Sequence, residues 1–207
     1  MTTSPFRVLV VCHGNISRSP TAQHLLCAAL DERFQIASAG VGAYMVAGRP
    51  VDPMMAALLE DRDIDVTGHA ARQLDRSIIN DAELILTMER KQRSWIAEET
   101  PRAISHTFTL KEFARLCVAV RDTHPASISA LIHAAATNRA VYPPDNNTDD
   151  DIADPYHRPT HAYTTALDEI QAAINQIAPE LLRHAKLRSK LARNPFADFV
   201  ITPKSEN

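Results

Sequence analysis

Near its amino terminus the chain reads Val8-Leu9-Val10-Val11-Cys12-His13-Gly14-Asn15-Ile16-Ser17-Arg18-Ser19-Pro20. Four consecutive apolar residues, three of them β-branched, predict a buried strand, and Gly14 and Asn15 then turn the chain into a helix that begins near Arg18. In an open α/β sheet, ligands bind where the carboxyl end of a strand meets a helix amino terminus, whose unpaired amides attract anions. The sequence therefore predicts an anion site with the sulfur of Cys12 at its floor.

The residue types around Cys12 predict nucleophilic chemistry. Inward amides, a helix amino terminus and a guanidinium all stabilise a thiolate, which is the nucleophilic form of cysteine. Arg18 has a planar fork that can hold two phosphate oxygens at once. Ser19 can donate a hydrogen bond to the sulfur as it leaves. We therefore expect catalysis through a cysteinyl-phosphate, with no metal and no organic cofactor.

The bare spacing of a cysteine, five residues and an arginine is weakly specific. Cys27 is also followed six places later by Arg33. That second match lies in a segment with helical spacing and no glycine, so Cys27 is predicted to be a packing residue. The strand before Cys12 and the Gly-Asn turn after it distinguish the first match.

The run from Val11 to Pro20, with Asp154-Pro155-Tyr156 far downstream, resembles the low-molecular-weight protein tyrosine phosphatase family. The resemblance covers residues 6–100 and 150–178 and indicates a bacterial-type member with an insertion before the acid loop and a basic C-terminal extension. It implies phosphomonoester hydrolysis on a three-layer, flavodoxin-like α/β fold. Phosphotyrosine in proteins would be the substrate, and a bacterial tyrosine kinase is the partner that the resemblance suggests.

A carboxylic acid is needed to protonate the leaving oxygen, and several aspartates precede residue 155. Of these, only Asp154 is followed by Pro155, which stiffens the turn, and by Tyr156. The resemblance implies that Asp154 is the general acid and that Tyr44 and Tyr156 form the walls of the substrate slot. The predicted phosphate-binding residues are His13, Gly14, Asn15, Ile16, Ser17, Arg18 and Ser19.

The resemblance also implies a group of residues that supports the anion loop from behind. His69 follows Gly68 in a loop segment that matches the family pattern. Its imidazole would hydrogen-bond Asn15, which together with Ser38 would hold the unusual backbone of the loop. Preorganised donors matter because they need no reorganisation during the reaction.

Composition agrees with one α/β domain. The 207 residues, 45% of them hydrophobic, can bury one sizeable core. A net charge of −3 predicts no general attraction to nucleic acid or to anionic membranes. Three cysteines do not indicate a disulfide framework, and a thiolate nucleophile needs a reducing compartment. With no evident signal peptide or membrane span, we expect a cytoplasmic monomer or weak dimer.

The remaining patterns predict four parallel strands with helices on both faces of the sheet. The predicted strands cover residues 6–11, 34–38, 83–88 and 103–108. The predicted helices cover residues 18–30, a segment from Pro53, a segment through Trp95, and residues 110–120, 128–137 and 161–177.

The domain division follows from these elements. We expect the phosphatase domain at residues 1–178, with 109–150 as a helical insertion and connector beside the active-site edge. Residues 179–207 are expected to form a basic extension that is partly disordered. Whether the insertion selects substrates or only fills out the fold is open on the sequence.

Three other functions stay open. A protein-arginine phosphatase would use the same scaffold, but relatives of that kind tend to have threonine in place of Ile16. Arsenate reduction reuses the loop but needs two further cysteines, and neither Cys27 nor Cys117 lies where the resemblance would place them. A phosphate-binding pseudoenzyme would have lost at least one predicted catalytic residue, and all of them are present.

Overall fold

The structure, a computed structural model, describes residues 4–146 and 150–191, with the backbone alone for 186–191. A four-stranded parallel sheet lies at its centre, with the strand order β2-β1-β3-β4. The strands are β1, Phe6–Cys12; β2, Phe34–Gly40; β3, Leu84–Thr87; and β4, Thr107–Thr109. The helices are α1, Arg18–Ala29; α2, Pro53–Glu60; α3, Arg76–Asp81; α4, Arg90–Glu99; α5, Leu110–Ala119; α6, Ile128–Asn138; and α7, Thr160–Leu191. Short 3-10 turns cover Ala43–Val46, Pro101–His106 and Arg121–Thr123.

Strand β1 faces two hydrophobic cores, because successive side chains of a strand point to opposite faces. Val8 and Val10 belong to the larger core, which α1, α2, α5, α6 and α7 complete. Leu9 and Val11 belong to the smaller core, to which α3 and α4 contribute. Burial on both faces explains the continuous apolar run of this strand. The predicted fold, with three layers and a parallel sheet between helices, is confirmed.

The strand register assembles one edge of the sheet from distant parts of the chain. Cys12 pairs with Gly40 of β2, and Val11 pairs with Thr87 of β3. The carboxyl ends of three strands therefore lie side by side, and the loops that follow them meet at this edge.

The predicted fourth strand is largely wrong. Residues 101–106 form a 3-10 turn that starts at Pro101, and only Thr107–Thr109 are strand. The Thr107 hydroxyl donates to the Ala103 carbonyl over 2.7 Å, so this carbonyl finds a local partner in the turn and does not need one in the sheet.

The last helix does not end at the predicted residue 177, since α7 continues through Pro179 to Leu191, and the first part of the basic extension is therefore helical. Proline inside a helix costs about 3 kcal/mol because it removes a hydrogen bond and clashes with the preceding turn. Leu181 is fully buried and Ala185 nearly so, and both pack in the larger core, which offsets that cost. The segment predicted to be disordered, residues 195–207, lies outside the described residues. Within those that are described, no helix has both the length and the hydropathy of a membrane span.

A buried carboxylate anchors the insertion to the sheet. Glu112 of α5 is 2% exposed, and its oxygens lie 2.6 Å from Arg93 Nη1 and 2.7 Å from Arg139 Nε. Arg139 also stacks over the Phe108 ring at 4.7 Å and donates to the Thr107 carbonyl over 2.8 Å. Through these contacts the end of α6 is fixed beside β4.

We expect Glu112→Gln to lower the free energy of unfolding by about 3 kcal/mol, because it leaves two arginines without their shared counter-charge. Urea unfolding at neutral pH measures this change. The matched control is Glu169→Gln, which breaks the half-exposed pair with Lys111 at 3.6 Å and is expected to cost no more than about 1 kcal/mol. Equal costs for the two variants would contradict the anchoring role of Glu112.

Candidate active site

The anion loop consists of residues 13–17, between the end of β1 at Cys12 and the start of α1 at Arg18. The Asn15 amide donates to Cys12 Sγ over 3.2 Å, and Ser19 Oγ lies 3.0 Å from the same sulfur. Ser19 Oγ already accepts a hydrogen bond from Asn15 Nδ2 over 3.0 Å, so its own hydrogen is free to point at the sulfur. This arrangement places two donors around the sulfur and favours its anionic form.

Asn15 is the centre of the hydrogen bonds that hold the loop. It is fully buried and has a φ of 55°, a left-handed conformation that asparagine tolerates better than most residues. Its Nδ2 atom donates to Ser38 Oγ over 2.8 Å, and its Oδ1 atom accepts from the Arg72 amide over 2.9 Å. His69 Nε2 lies 2.8 Å from the Asn15 carbonyl, which can only accept, so Nε2 carries the hydrogen.

His69 packs against a second imidazole that the sequence analysis did not single out. The His24 ring lies edge-on to it, with 6.3 Å between the ring centroids. Burial lowers the pKa of His69, and the hydrogen bond to Asn15 opposes this shift. Burial also lowers the pKa of His24, and the charge of His69 lowers it further. Both shifts favour the neutral imidazoles, and His69 Nε2 carries the hydrogen that Asn15 accepts in either protonation state.

Arg18 is a buried cation with partners from three segments. It is 1% exposed, and its Nη1 atom donates to Glu89 Oε2 over 2.9 Å and to the Ile152 carbonyl over 2.7 Å. Its Nη2 atom lies 2.6 Å from Asp154 Oδ2. The two bonds of Nη1 thus fix the plane of the guanidinium, while Nη2 points toward the carboxylate of Asp154.

The acid loop, residues 150–156, crosses the mouth of the site. Asp154 keeps its carboxylate 42% exposed, and its Oδ1 atom accepts from the Tyr156 amide over 3.3 Å. The Ile152 amide donates to the Met88 carbonyl over 2.8 Å, which ties the loop to the end of β3. The structure therefore brings Cys12, Arg18 and Asp154 together across 142 residues of sequence.

These segments enclose a pocket of about 240 Å³. Tyr44, which is 70% exposed, and Tyr156 both line it, as the resemblance implies for the slot walls. The complete lining is Cys12, His13, Gly14, Ile16, Ser17, Arg18, Gly42, Tyr44, Met45, Val46, Asp154 and Tyr156. The predicted phosphate-binding residues Asn15 and Ser19 do not line it; their fully buried side chains bond each other, and Ser19 also contacts the sulfur.

Comparison with known proteins agrees with this geometry. The family described as low molecular weight phosphotyrosine protein phosphatase matches residues 7–125. The chain belongs to this family. A probable low molecular weight protein-tyrosine-phosphatase, EpsP, of Ralstonia nicotianae is 31% identical over 174 residues, which are 84% of this chain and 94% of EpsP.

Two further relatives carry different names. A protein-arginine-phosphatase of Geobacillus stearothermophilus is 30% identical over 86% of this chain and 97% of its own. The structure of Vibrio vulnificus Wzb in complex with benzylphosphonate is 25% identical, with a TM-score of 0.64 over 85% of this chain and 99% of Wzb. Family membership therefore establishes the scaffold, while the substrate must be argued from the pocket.

Three contributors to this phosphatase site were missed from the sequence. Glu89 holds Arg18 and follows β3, the neighbour of β1, so the rule that sites form at adjacent strand ends could have found it. Met45 and Val46 line the pocket from a 3-10 turn and carry no local signal beyond their apolar character. Among the described residues, no group of three or more His, Cys, Asp or Glu side chains is placed to hold a metal ion.

Gly40 is required because β2 passes directly beneath the anion loop. A Cβ atom there would lie 2.4 Å from the His13 carbonyl oxygen and 2.9 Å from the Asn15 amide nitrogen, both backbone atoms. A Cβ atom on Gly42 would instead meet the exposed ring of His13 at 2.5 Å, and that ring can turn away.

We therefore expect Gly40→Ala to weaken orthovanadate binding by at least about tenfold, since overpacking against backbone costs about 1–3 kcal/mol and must shift the loop. Gly42→Ala, the matched control, should change the affinity by less than about threefold. Inhibition constants for vanadate measure both variants. Similar affinities for the two would show that the loop does not depend on this close approach.

Proposed function

We propose that this chain hydrolyses phosphotyrosine in proteins through a phosphoenzyme intermediate on Cys12. One observation carries the proposal: Cys12 Sγ accepts from a loop amide and a serine hydroxyl in a pocket that Arg18 and Asp154 border, 2.6 Å from each other. A dianionic phosphate fits this arrangement because the loop amides and the guanidinium supply its hydrogen-bond donors.

In the first step, the thiolate of Cys12 attacks phosphorus and the bond from phosphorus to the tyrosyl oxygen breaks. Asp154, in its acid form, gives its proton to the departing phenolate. Arg18 stabilises the charge on the equatorial oxygens of the transition state. Glu89 and the Ile152 carbonyl already hold Nη1, so binding of the phosphate only has to replace the contact between Nη2 and Asp154.

In the second step, a water molecule attacks the phosphocysteine. The Asp154 carboxylate takes one proton from that water, the sulfur–phosphorus bond breaks, and inorganic phosphate is released. Ser19 donates a hydrogen bond to the sulfur as its charge develops, consistent with their separation of 3.0 Å. Asp154 thereby returns to the acid form in which the cycle began.

The pocket favours an aromatic phosphate. Tyr44 and Tyr156 can stack on the two faces of a phenyl ring, while Met45 and Val46 add apolar surface beside them. Ile16 also lines the pocket and presents an apolar side chain where arginine-phosphatase relatives tend to have threonine. We propose protein substrates in the cytoplasm, where the thiolate stays reduced, and a bacterial tyrosine kinase as a partner.

Protein-arginine phosphatase activity is the second candidate, because a relative of that name is 30% identical over most of this chain. Arsenate reduction is not proposed. It needs two resolving thiols, and Cys117 is fully buried, with burial raising the pKa of its thiol and the charge of Glu180 raising it further.

For peptides that differ only in the modified residue, we expect kcat/KM to be about 100-fold higher with phosphotyrosine than with phosphoarginine. The physical reason is that the aromatic walls contact a planar ring, whereas a guanidinium carries charge into the same apolar slot. Phosphate release under identical conditions measures both substrates. A higher kcat/KM with phosphoarginine would replace the leading proposal with the second candidate.

Replacing the nucleophile tests the covalent step. Cys12→Ser should lower turnover of 4-nitrophenyl phosphate by at least about 10⁴-fold, because the hydroxyl is not ionised, while phosphate binding by calorimetry is retained. Cys27→Ser is the matched control. Cys27 also has an arginine six places later, but it is exposed on α1, so its predicted packing role is wrong, and the variant should keep full activity. Substantial turnover by Cys12→Ser would rule out a cysteinyl-phosphate.

A further inference from the structure

The first residue of the acid loop, Asp150, is held by a residue that does not line the active-site pocket. Arg115 of α5 places Nη2 3.1 and 2.8 Å from the two oxygens of Asp150, which is 5% exposed. Arg115 Nη1 also donates to the Tyr142 carbonyl. A charge-assisted pair that is shielded from water holds its geometry more tightly than an exposed one.

Glu112, one turn earlier on α5, anchors the other end of the same segment. It holds Arg139, where the connector begins after α6, while Arg115 holds Asp150, where the acid loop begins. Residues three apart on a helix lie on the same face. Both ends of the connector between residues 139 and 150 are therefore attached to one face of α5.

The next residues of the acid loop are tied to the start of α4. The Arg90 amide donates to Asp151 Oδ1 over 2.7 Å, and Arg90 Nη2 lies 3.4 Å from Asp151 Oδ2. The preceding residue, Glu89, holds Arg18. The backbone between Asp150 and Ile152 is thus fixed at each position, ending in the Ile152 carbonyl that accepts from Arg18.

Asp154 itself has a different environment. Its carboxylate is 42% exposed, so packing contributes little to its position. Arg18 Nη2, 2.6 Å away, and the Tyr156 amide orient the carboxylate, while the fixed backbone ends two residues before it. General acids lose activity steeply when they are misplaced, by up to about 100-fold for a shift of 1 Å. The contacts that hold residues 150–152 therefore help to determine where the Asp154 carboxyl lies relative to the pocket.

From these contacts we propose that Arg115 is a positioning residue for the phosphatase reaction, acting through Asp150 to hold Asp154 over the leaving oxygen. The proposal rests on the proposed function, in which Asp154 is the general acid. It gives the helical insertion a role in catalysis. Glu112 and Arg115 of α5 hold the two ends of the connector and thereby determine the distance between the acid loop and Cys12.

The test uses the dependence of kcat/KM on the leaving group, measured on the full chain with 4-nitrophenyl phosphate and phenyl phosphate. The first leaving group needs little protonation, and the second, a phenol with a pKa of about 10, needs it strongly. Arg115→Met should lower kcat/KM by about tenfold with phenyl phosphate and by less than about twofold with 4-nitrophenyl phosphate. Asp154→Asn should show the same selectivity at about 100-fold or more.

A simple loss of folded protein would slow both substrates equally, so the ratio separates positioning from stability. Arg115→Lys keeps the charge without the fork and should fall between the wild type and Arg115→Met. Asp150→Asn should resemble Arg115→Met, and the double variant should be no worse than either, because both remove one interaction.

Two control variants isolate the effect. Lys111→Met removes another cation of α5, one that pairs with Glu169 of α7 and not with the acid loop. Arg121→Met removes the half-exposed partner of the buried Glu180, a pair that does not include a residue of the acid loop, and should lower stability. Both should leave the ratio between the two substrates at its wild-type value.

The outcomes separate the positioning role of Arg115 from the acid role of Asp154. If Asp154→Asn is selective for phenyl phosphate and Arg115→Met is not, the positioning role is overturned and the proposed function stands. If Asp154→Asn slows both substrates equally, the acid assignment fails and the positioning proposal falls with it. If Arg121→Met or Lys111→Met is as selective as Arg115→Met, the selectivity does not depend on the contact with Asp150, and the positioning role is overturned.

Discussion

A buried guanidinium is the constraint on which this active site depends. Arg18 is 1% exposed, and an ion removed from water without partners costs several kcal/mol. Its partners come from parts of the chain that lie 71 and 134 residues away, so the site exists only when the whole domain is folded. The same bonds that make its burial tolerable also fix its orientation, and this serves the reaction without further reorganisation.

The anion loop and the acid loop are held in different ways. The anion loop is held by hydrogen bonds of the fully buried Asn15 side chain, which fix this residue in its left-handed conformation. The acid loop is held at residues 150–152 and leaves the Asp154 carboxylate partly exposed. Such a division suits the proposed chemistry, in which the phosphate site stays constant while the acid gives up and regains a proton.

The insertion and the long helix α7 extend the core on one face of the sheet. Leu131 of α6 and Leu181 of α7 are both fully buried in the core that also contains Val8 and Val10 of β1. The charged residues of α5 lie beside this core and connect it to the acid loop. Segments that resemble additions in the sequence are therefore continuous with the packing that supports the site.

Local signals were enough for strand β1, the turn at Gly14 and Asn15, the position of Cys12 at the end of that strand, and most helices, because an apolar run and a special turn act within a few residues. Resemblance, rather than periodicity, supplied Asp154, Tyr44, Tyr156 and the support of Asn15 by His69. Only the tertiary structure decided the roles of Glu89 and Arg115, the short β4 and the course of α7 past Pro179. Each of these depends on burial or charge pairing between segments far apart in the chain, and such free energies have no local signature in the sequence.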